Sequence, residues 1–100
     1  MERGGWVYIL TNKPRGVLYI GVTADITRRI WQHRNGLGSA FARKYGLNKL
    51  VRAESYPTIE EAIAREKQLK NWTRKWKIEL VESDNPAWDP IASDPGSSPG

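Results

Sequence analysis

The fold is decided by residues 6–21, which read WVYILTNKPRGVLYIG. Two apolar runs rich in β-branched and aromatic residues flank a polar segment that contains proline and glycine, and this order predicts an antiparallel hairpin. If the turn takes residues 12–15, Tyr8 lies directly opposite Tyr19, with the two Cβ atoms roughly 5 Å apart. The stretch therefore predicts two strands that present a pair of phenol groups on one face.

Capping patterns and changes of periodicity predict the elements that follow the hairpin. Asp25 is suited to cap a helix, and Thr58 with Glu61 forms a capping-box pattern. The predicted elements are a helix over 26–35, a short helical turn over 39–45, a strand over 48–56, and helices over 59–71 and 74–82. The order β-β-α-β-α-α predicts an α+β domain, with helices flanking a three-stranded antiparallel sheet.

The length of the chain and the positions of its prolines indicate a single domain. One hundred residues lie near the lower limit at which one core stabilises a fold, and four of the six prolines follow Ser83. We therefore predict a domain over residues 1–88 and a disordered tail over 89–100.

The composition excludes several classes of protein. The absence of cysteine excludes disulfides and thiolate–zinc sites. No apolar run approaches the roughly 20 residues that a membrane span needs, and the first residues lead into a strand instead of a signal peptide. We expect a cytoplasmic protein with no membrane partner.

Positive charge is concentrated in the first 83 residues. Residues 84–100 hold three of the 11 acidic residues and no Lys or Arg, so residues 1–83 carry 16 basic and 8 acidic residues. A net charge of +8 over this part favours a polyanionic partner, with nucleic acid first, although a solvated basic surface is the alternative.

Three polar side chains fall on apolar helical stripes when successive residues are placed about 100° apart. In the first helix, Arg29 and His33, the single histidine, lie one turn apart on the stripe that includes Ile30. In the helix over 59–71, Glu66 lies in the middle of the stripe. A buried carboxylate without a partner costs several kcal/mol, so Glu66 requires either an arginine or a divalent metal.

Each of these side chains also has a purely structural interpretation. Glu66 and Arg29 can form a salt bridge, His33 can be a hydrogen-bonded core residue, and tyrosines in a hairpin commonly pack in a core. A core of this size should not bury several polar groups without a common purpose. We therefore predict one site, which is formed by Tyr8, Tyr19, Arg29, His33 and Glu66.

These residues, in this order, resemble the GIY-YIG nuclease superfamily. The resemblance covers about residues 6–88 and rests on the two hairpin tyrosines, the Arg-x-x-x-His helix and the glutamate within the later stripe. It is greatest for small stand-alone bacterial members similar to the N-terminal nuclease domain of an excision-repair endonuclease. The stretches YIGVTADITRRIWQH, AIAREKQLKNW and NPAW fit that group. Trp6 replaces the first glycine of the triplet that names the family.

The resemblance implies an endonuclease that hydrolyses DNA phosphodiester bonds with one Mg²⁺ or Mn²⁺ ion and no small-molecule cofactor, and it suggests a role in DNA repair. It assigns Tyr8 as general base, Arg29 to the scissile phosphate and Glu66 to the metal. Tyr19 and His33 would orient the water or relay its proton. Because tyrosine has a pKa near 10, Tyr8 serves as base only if positive charge nearby lowers that pKa. Some relatives add an asparagine, for which Asn71 and Asn85 are both candidates.

Basic residues outside the catalytic set are candidates for phosphate contacts. The strand state and sequence specificity of the DNA stay open, as does the oligomeric state. A non-catalytic nucleic-acid-binding module on a nuclease fold is the alternative function. The predicted nucleic-acid-binding residues are Arg28, Arg34, Arg43, Lys44, Arg74 and Lys75.

Overall fold

The structure is a computed structural model that describes residues 4–91. Its elements are, in order, β1 (Gly5–Thr11), β2 (Leu18–Thr23), α1 (Ile26–Arg34), α2 (Ala40–Lys44), β3 (Lys49–Tyr56), α3 (Ile59–Lys70) and α4 (Arg74–Asp84). The predicted α+β class and three-stranded antiparallel sheet are confirmed, and the predicted turn over 39–45 forms the short helix α2.

The sheet has the order β2-β1-β3, with β1 antiparallel to both neighbours. The predicted register of the hairpin is wrong by two positions, since Tyr8 pairs with Gly21 and Tyr19 pairs with Leu10. A shift of two residues leaves each side chain on the same face of a strand, so the tyrosines are diagonal neighbours on one face. The expected proximity therefore survives the wrong register.

The register differs because the loop between β1 and β2 is longer than a four-residue turn. Thr11 pairs with Leu18, which leaves residues 12–17 in the loop. Asn12 Oδ1 accepts a hydrogen bond from the backbone N–H of Val17 at 3.0 Å, and Arg15 has a φ of 55°. The asparagine side chain thus closes a wider loop than the proline and glycine alone predict.

The alternation of side chains along β1 divides the core into two layers. Val7 and Ile9 face α3 and α4, whereas Tyr8 and Leu10 face α1 and α2. We call the second group the tyrosine layer; its buried residues are Tyr8, Leu10, Ile30, Ala42, Leu47 and Leu50, and Val17, Tyr19 and Ile26 pack against it.

Helix α3 approaches the sheet over a glycine. A Cβ built on Gly5 would lie 2.8 Å from Ala62 Cβ, and Ala62 is fully buried. Ile63, which the helical wheel placed on the inner stripe, is 36% exposed. The close approach through Ala62 turns the neighbouring Ile63 towards solvent.

The segment after α4 is tied to the sheet up to Ile91. The backbone N–H of Ile91 donates to the carbonyl of Leu50 at 2.7 Å, and the Asn85 amide donates to the carbonyls of Val51 and Asp89. The predicted tail began at residue 89, whereas the chain is hydrogen-bonded to the domain at 89 and 91; residues 92–100 lie outside the described residues. Within residues 4–91, no helix is long and apolar enough to cross a membrane.

Candidate active site

The tyrosine layer contains a buried hydrogen bond between a phenol and an imidazole. Tyr8 Oη lies 3.2 Å from His33 Nε2. Tyr8 is 0% exposed to solvent and His33 is 8% exposed. The Tyr19 ring completes a triangle, with its centroid 6.2 Å from that of Tyr8 and 5.7 Å from that of His33. Two strand residues and one residue of α1 therefore meet inside this layer.

Two glycines shape this cluster, and sequence reasoning missed the role of the second. A Cβ on Gly21 would lie 2.4 Å from both Cζ and Oη of Tyr8, so the phenol crosses directly over the backbone of β2. A Cβ on Gly38 would lie 2.3 Å from His33 Nδ1. The sequence presented Gly38 only as a residue that ends a helix, and no local pattern distinguishes it from other loop glycines.

The environment of Tyr8 favours the protonated phenol. Burial raises the pKa of Tyr8, Tyr19 raises it further, and the opposing effect of Arg29 is smaller. The sequence-based condition for Tyr8 as a base, a pKa lowered by positive charge, is therefore not met by Arg29 alone. Tyr8 holds its proton in this environment.

The environment of His33 favours the neutral imidazole. Burial lowers the pKa of His33, and the charge of Arg29 lowers it further. Its Nδ1 atom is buried and has no hydrogen-bond partner within residues 4–91. With the proton on Nδ1, the lone pair of Nε2 accepts the hydrogen bond from Tyr8.

Arg29 joins the cluster from α1, where it interacts with Tyr8. It also lines a cavity of about 300 Å³ at the start of α1, to which Arg28 contributes a second guanidinium. Guanidinium groups bind phosphate oxygens through a planar fork of donors, so this cavity is suited to an anion. Its lining residues are Thr23, Ala24, Asp25, Arg28, Arg29 and Gln32.

Glu66 lies on α3, which packs against β1 and β2. Its side chain is 15% exposed, in agreement with the position on the helical stripe, and Oε2 lies 3.1 Å from Lys70 Nζ. The salt bridge to Arg29 that the sequence allowed does not form among the described residues, where Glu66 pairs with Lys70 instead. The structure brings Tyr8, Tyr19, Arg29 and His33 together. Among residues 4–91, Glu66 forms no hydrogen bond or ion pair with these four.

The candidate asparagines both hold backbone groups. The Asn71 amide donates to the carbonyl of Lys67 at 3.1 Å at the end of α3. The Asn85 amide holds the segment after α4, as described above. Each amide N–H₂ is thus engaged in ending a helix or fixing a loop.

The predicted nucleic-acid-binding residues divide between the two layers. Four of them lie on α1 and α2, the helices that cover the tyrosine layer, and these four side chains are exposed. Arg74 begins α4 and donates to the carbonyl of Gly16 at 2.8 Å, so its guanidinium holds the loop between β1 and β2. Lys75 follows it on α4 and is exposed. The exposed four on α1 and α2 are Arg28, Arg34, Arg43 and Lys44.

Comparisons with known proteins concern the family and the fold of the chain. A family model described as the GIY-YIG catalytic domain matches residues 4–79. UPF0213 protein BH0048 of Halalkalibacterium halodurans is 40% identical over 76 residues, which are 76% of this chain and 80% of that protein. UPF0213 protein CPE1444 of Clostridium perfringens is 40% identical over 78 residues, 78% of this chain and 83% of that protein. The solution NMR structure of UPF0213 protein BH0048 from Bacillus halodurans superimposes with a TM-score of 0.55 at 34% identity, covering 86% of this chain and 90% of that one.

Proposed function

The chain belongs to the GIY-YIG catalytic domain family, and from that premise we propose that it is an endonuclease that hydrolyses DNA phosphodiester bonds with one divalent cation. The observation that carries the proposal is the buried contact of 3.2 Å between Tyr8 Oη and His33 Nε2, next to Arg29. A phenol bonded to a neutral imidazole beside a guanidinium is suited to move a proton next to an anionic phosphate.

In the proposed reaction, Tyr8 and His33 act as a relay. The attacking water gives a proton to Tyr8 Oη while the phenol proton passes to His33 Nε2, and the oxygen of the water forms the new bond to phosphorus. The bond from phosphorus to the leaving oxygen breaks, and the leaving oxygen takes a proton from Tyr8 Oη. At the same time the imidazolium of His33 returns its proton to Tyr8 Oη, which restores both groups. The raised pKa of Tyr8 does not oppose this route, because no free phenolate forms.

Arg29 would hold the scissile phosphate and stabilise the negative charge that develops in the transition state. Its position beside Tyr8 would bring the phosphate close to the oxygen that accepts the proton from water. The neighbouring Arg28 would contact the same or the next phosphate from the shared cavity.

Glu66 fits the role of the metal ligand in its chemistry. Its carboxylate is largely buried, and the positively charged ammonium of Lys70 lies beside Oε2. A cation therefore already occupies the position next to this carboxylate. Mg²⁺ is commonly bound through one or two carboxylates, with water and phosphate oxygens completing its shell. When bound, Mg²⁺ or Mn²⁺ would stabilise the charge on the phosphate and the leaving oxygen.

The test is cleavage of single- and double-stranded DNA with Mg²⁺, Mn²⁺ or EDTA by the Glu66→Ala and Arg29→Ala variants. Each substitution is expected to abolish metal-dependent cleavage. The fold, measured by circular dichroism, and the binding of uncut DNA should be largely preserved. Glu60→Ala, which removes an exposed carboxylate from the same helix, is the matched control and should cleave normally.

Two outcomes would contradict the proposal. Metal-dependent cleavage retained by Glu66→Ala would remove the metal assignment. Binding without cleavage by the unmodified protein, in every metal, would favour the non-catalytic nucleic-acid-binding module. We propose that the protein acts in the cytoplasm. A role in DNA repair rests on the resemblance to the excision-repair endonuclease alone.

A further inference from the structure

A row of aromatic rings leads from the tyrosine layer to the protein surface. The ring of Phe41 lies 6.3 Å from that of Tyr19, with an angle of 28° between their planes, and the ring of Tyr45 lies 4.8 Å from that of Phe41. We call Tyr19, Phe41 and Tyr45 the aromatic row. Its inner end touches the candidate active site through the contact between Tyr19 and His33.

The outer rings of the row are exposed. Phe41 is 47% exposed and Tyr45 is 43% exposed, whereas Ala42 supplies the buried contact of α2. Two large adjacent rings open to solvent contribute little to the core that this five-residue helix covers. Their arrangement instead provides a continuous apolar surface at the edge of the site.

The charge around the row indicates the chemistry of the partner. Between Asp25 and Glu54 the sequence has no acidic residue, and Lys44 Nζ lies 5.5 Å from the centre of the Tyr45 ring. An apolar protein surface would gain nothing from this charge, whereas nucleic acid combines planar apolar bases with an anionic backbone. The basic residues of this interval on α1 and α2, the helices that cover the tyrosine layer, are Arg28, Arg29, Arg34, Arg43 and Lys44. Arg52 is paired with Glu54 and Asp84 instead.

We propose that the aromatic row stacks unpaired nucleobases of a single-stranded segment of DNA and guides that segment into the site. Bases within a duplex are already stacked on one another, so their faces are open to a protein ring only where the strand is unpaired. The inference rests on the proposed function and narrows its substrate to DNA with single-stranded character.

The test measures binding of a fluorescein-labelled oligothymidylate and of a duplex of equal length by fluorescence anisotropy in EDTA, where no cleavage interferes. Loss of a stacking ring costs about 1–3 kcal/mol per base, so Phe41→Ala and Tyr45→Ala should each weaken single-strand binding roughly 5- to 150-fold. Duplex binding should change less than about threefold, because basic residues still contact its phosphates.

Two further variants separate stacking from other effects. Phe41→Trp should restore single-strand binding, whereas Phe41→Leu, which is apolar but not aromatic, should not. Trp76→Ala is the matched control, since Trp76 is 54% exposed and lies between Lys75 and Lys77 on α4. It should bind the single strand as the unmodified protein does.

The inference is overturned if Phe41→Ala and Tyr45→Ala bind the oligothymidylate normally, or if Trp76→Ala loses as much affinity. It is also overturned if the Phe41 variants change only the molecular mass in analytical ultracentrifugation, which would identify the row as a contact between two copies. Affinity is measured without metal, so binding and cleavage are tested separately. If the protein does not cleave DNA but its single-strand binding still depends on Phe41 and Tyr45, only the proposed nuclease activity is contradicted. If the protein cleaves DNA but its single-strand binding does not depend on Phe41 and Tyr45, only the proposed stacking surface is contradicted.

Discussion

Substitution of Gly21 by alanine provides a direct test of the packing that holds Tyr8. The added Cβ would lie 2.4 Å from Cζ and Oη of the phenol, whereas non-bonded carbon atoms normally approach to about 3.5 Å. The ring must therefore move by about 1 Å. Tyr8 is fully buried, so neighbouring side chains must also shift to accommodate the displaced ring.

The displacement has two expected consequences of different size. Overpacking of a buried site costs about 1–3 kcal/mol of the free energy of unfolding. A shift of about 1 Å also stretches the contact of 3.2 Å between Tyr8 and His33 beyond hydrogen-bond length. Misplacement of a reacting group by about 1 Å can reduce the rate about 100-fold, so DNA cleavage should fall by that order.

The assay combines urea unfolding with NMR of the imidazole. His33 is the single histidine, so its ring gives one set of nitrogen resonances without assignment by mutation. Gly5→Ala is the matched control, because its Cβ would lie 2.8 Å from Ala62 Cβ in the opposite layer. Gly5→Ala should lose comparable stability while the His33 resonances stay unchanged.

The reasoning is refuted if Gly21→Ala leaves the His33 resonances and cleavage at their original values. It is equally refuted if Gly5→Ala shifts the His33 resonances as much as Gly21→Ala does. In that case the defect would come from unfolding in general and not from displacement of the phenol.

Further predictions concern pH and metal binding. Because the pKa of His33 is lowered in the folded state, the unfolded chain binds the proton more tightly, so the free energy of unfolding should fall as pH drops below about 6.5. Urea unfolding midpoints measured between about pH 5 and 7.5 should show this fall in the unmodified protein and not in His33→Gln. Burial opposes ionisation of Glu54, but hydrogen bonds from Arg65 and neighbouring donors lower its pKa from 4.5 to about 2. The ionised Glu54 carboxylate should therefore contribute up to about 3 kcal/mol to the free energy of unfolding above pH 4.5, and this contribution should be lost between pH 4.5 and 2. Acid unfolding of Glu54→Gln should not show that loss of stability. Lys70→Gln removes the ammonium beside Glu66 and should tighten Mn²⁺ binding several-fold in electron paramagnetic resonance titrations; unchanged or weaker binding would contradict Glu66 as the ligand.

The elements of the fold follow from local patterns in the sequence, whereas the register of the hairpin does not. The predicted helix starts agree with the structure because the caps are local: Asp25, Thr58 and Thr73 each accept a hydrogen bond from a backbone N–H of the first turn. The register depends on how Asn12 closes the loop and on the positive φ of Arg15. A pattern of residue types carries little information about either.

The site was predictable where a single periodicity describes it. The helical wheel places His33 on the inner face of α1, and the residue is buried there. The wheel also places Glu66 on the inner stripe of α3, but it cannot show that the long side chain of Lys70 reaches the carboxylate from one turn away. The aromatic row was not predicted, because a helix of five residues is too short for its periodicity to be recognised.

The shifts in the pKa values of Tyr8 and His33 have one leading cause, because burial disfavours the charged form of each group. It keeps the phenol protonated and the imidazole neutral, so the contact between Oη and Nε2 joins two uncharged groups. Either residue alone would be a poor base in this layer, since burial raises the pKa of Tyr8 and lowers the pKa of His33. In the proposed reaction, Tyr8 accepts a proton from water while His33 takes the phenol proton, so no free phenolate forms. This coupling depends on the crossing of Tyr8 over Gly21 and of His33 beside Gly38, which is why two glycines matter as much as the titratable groups.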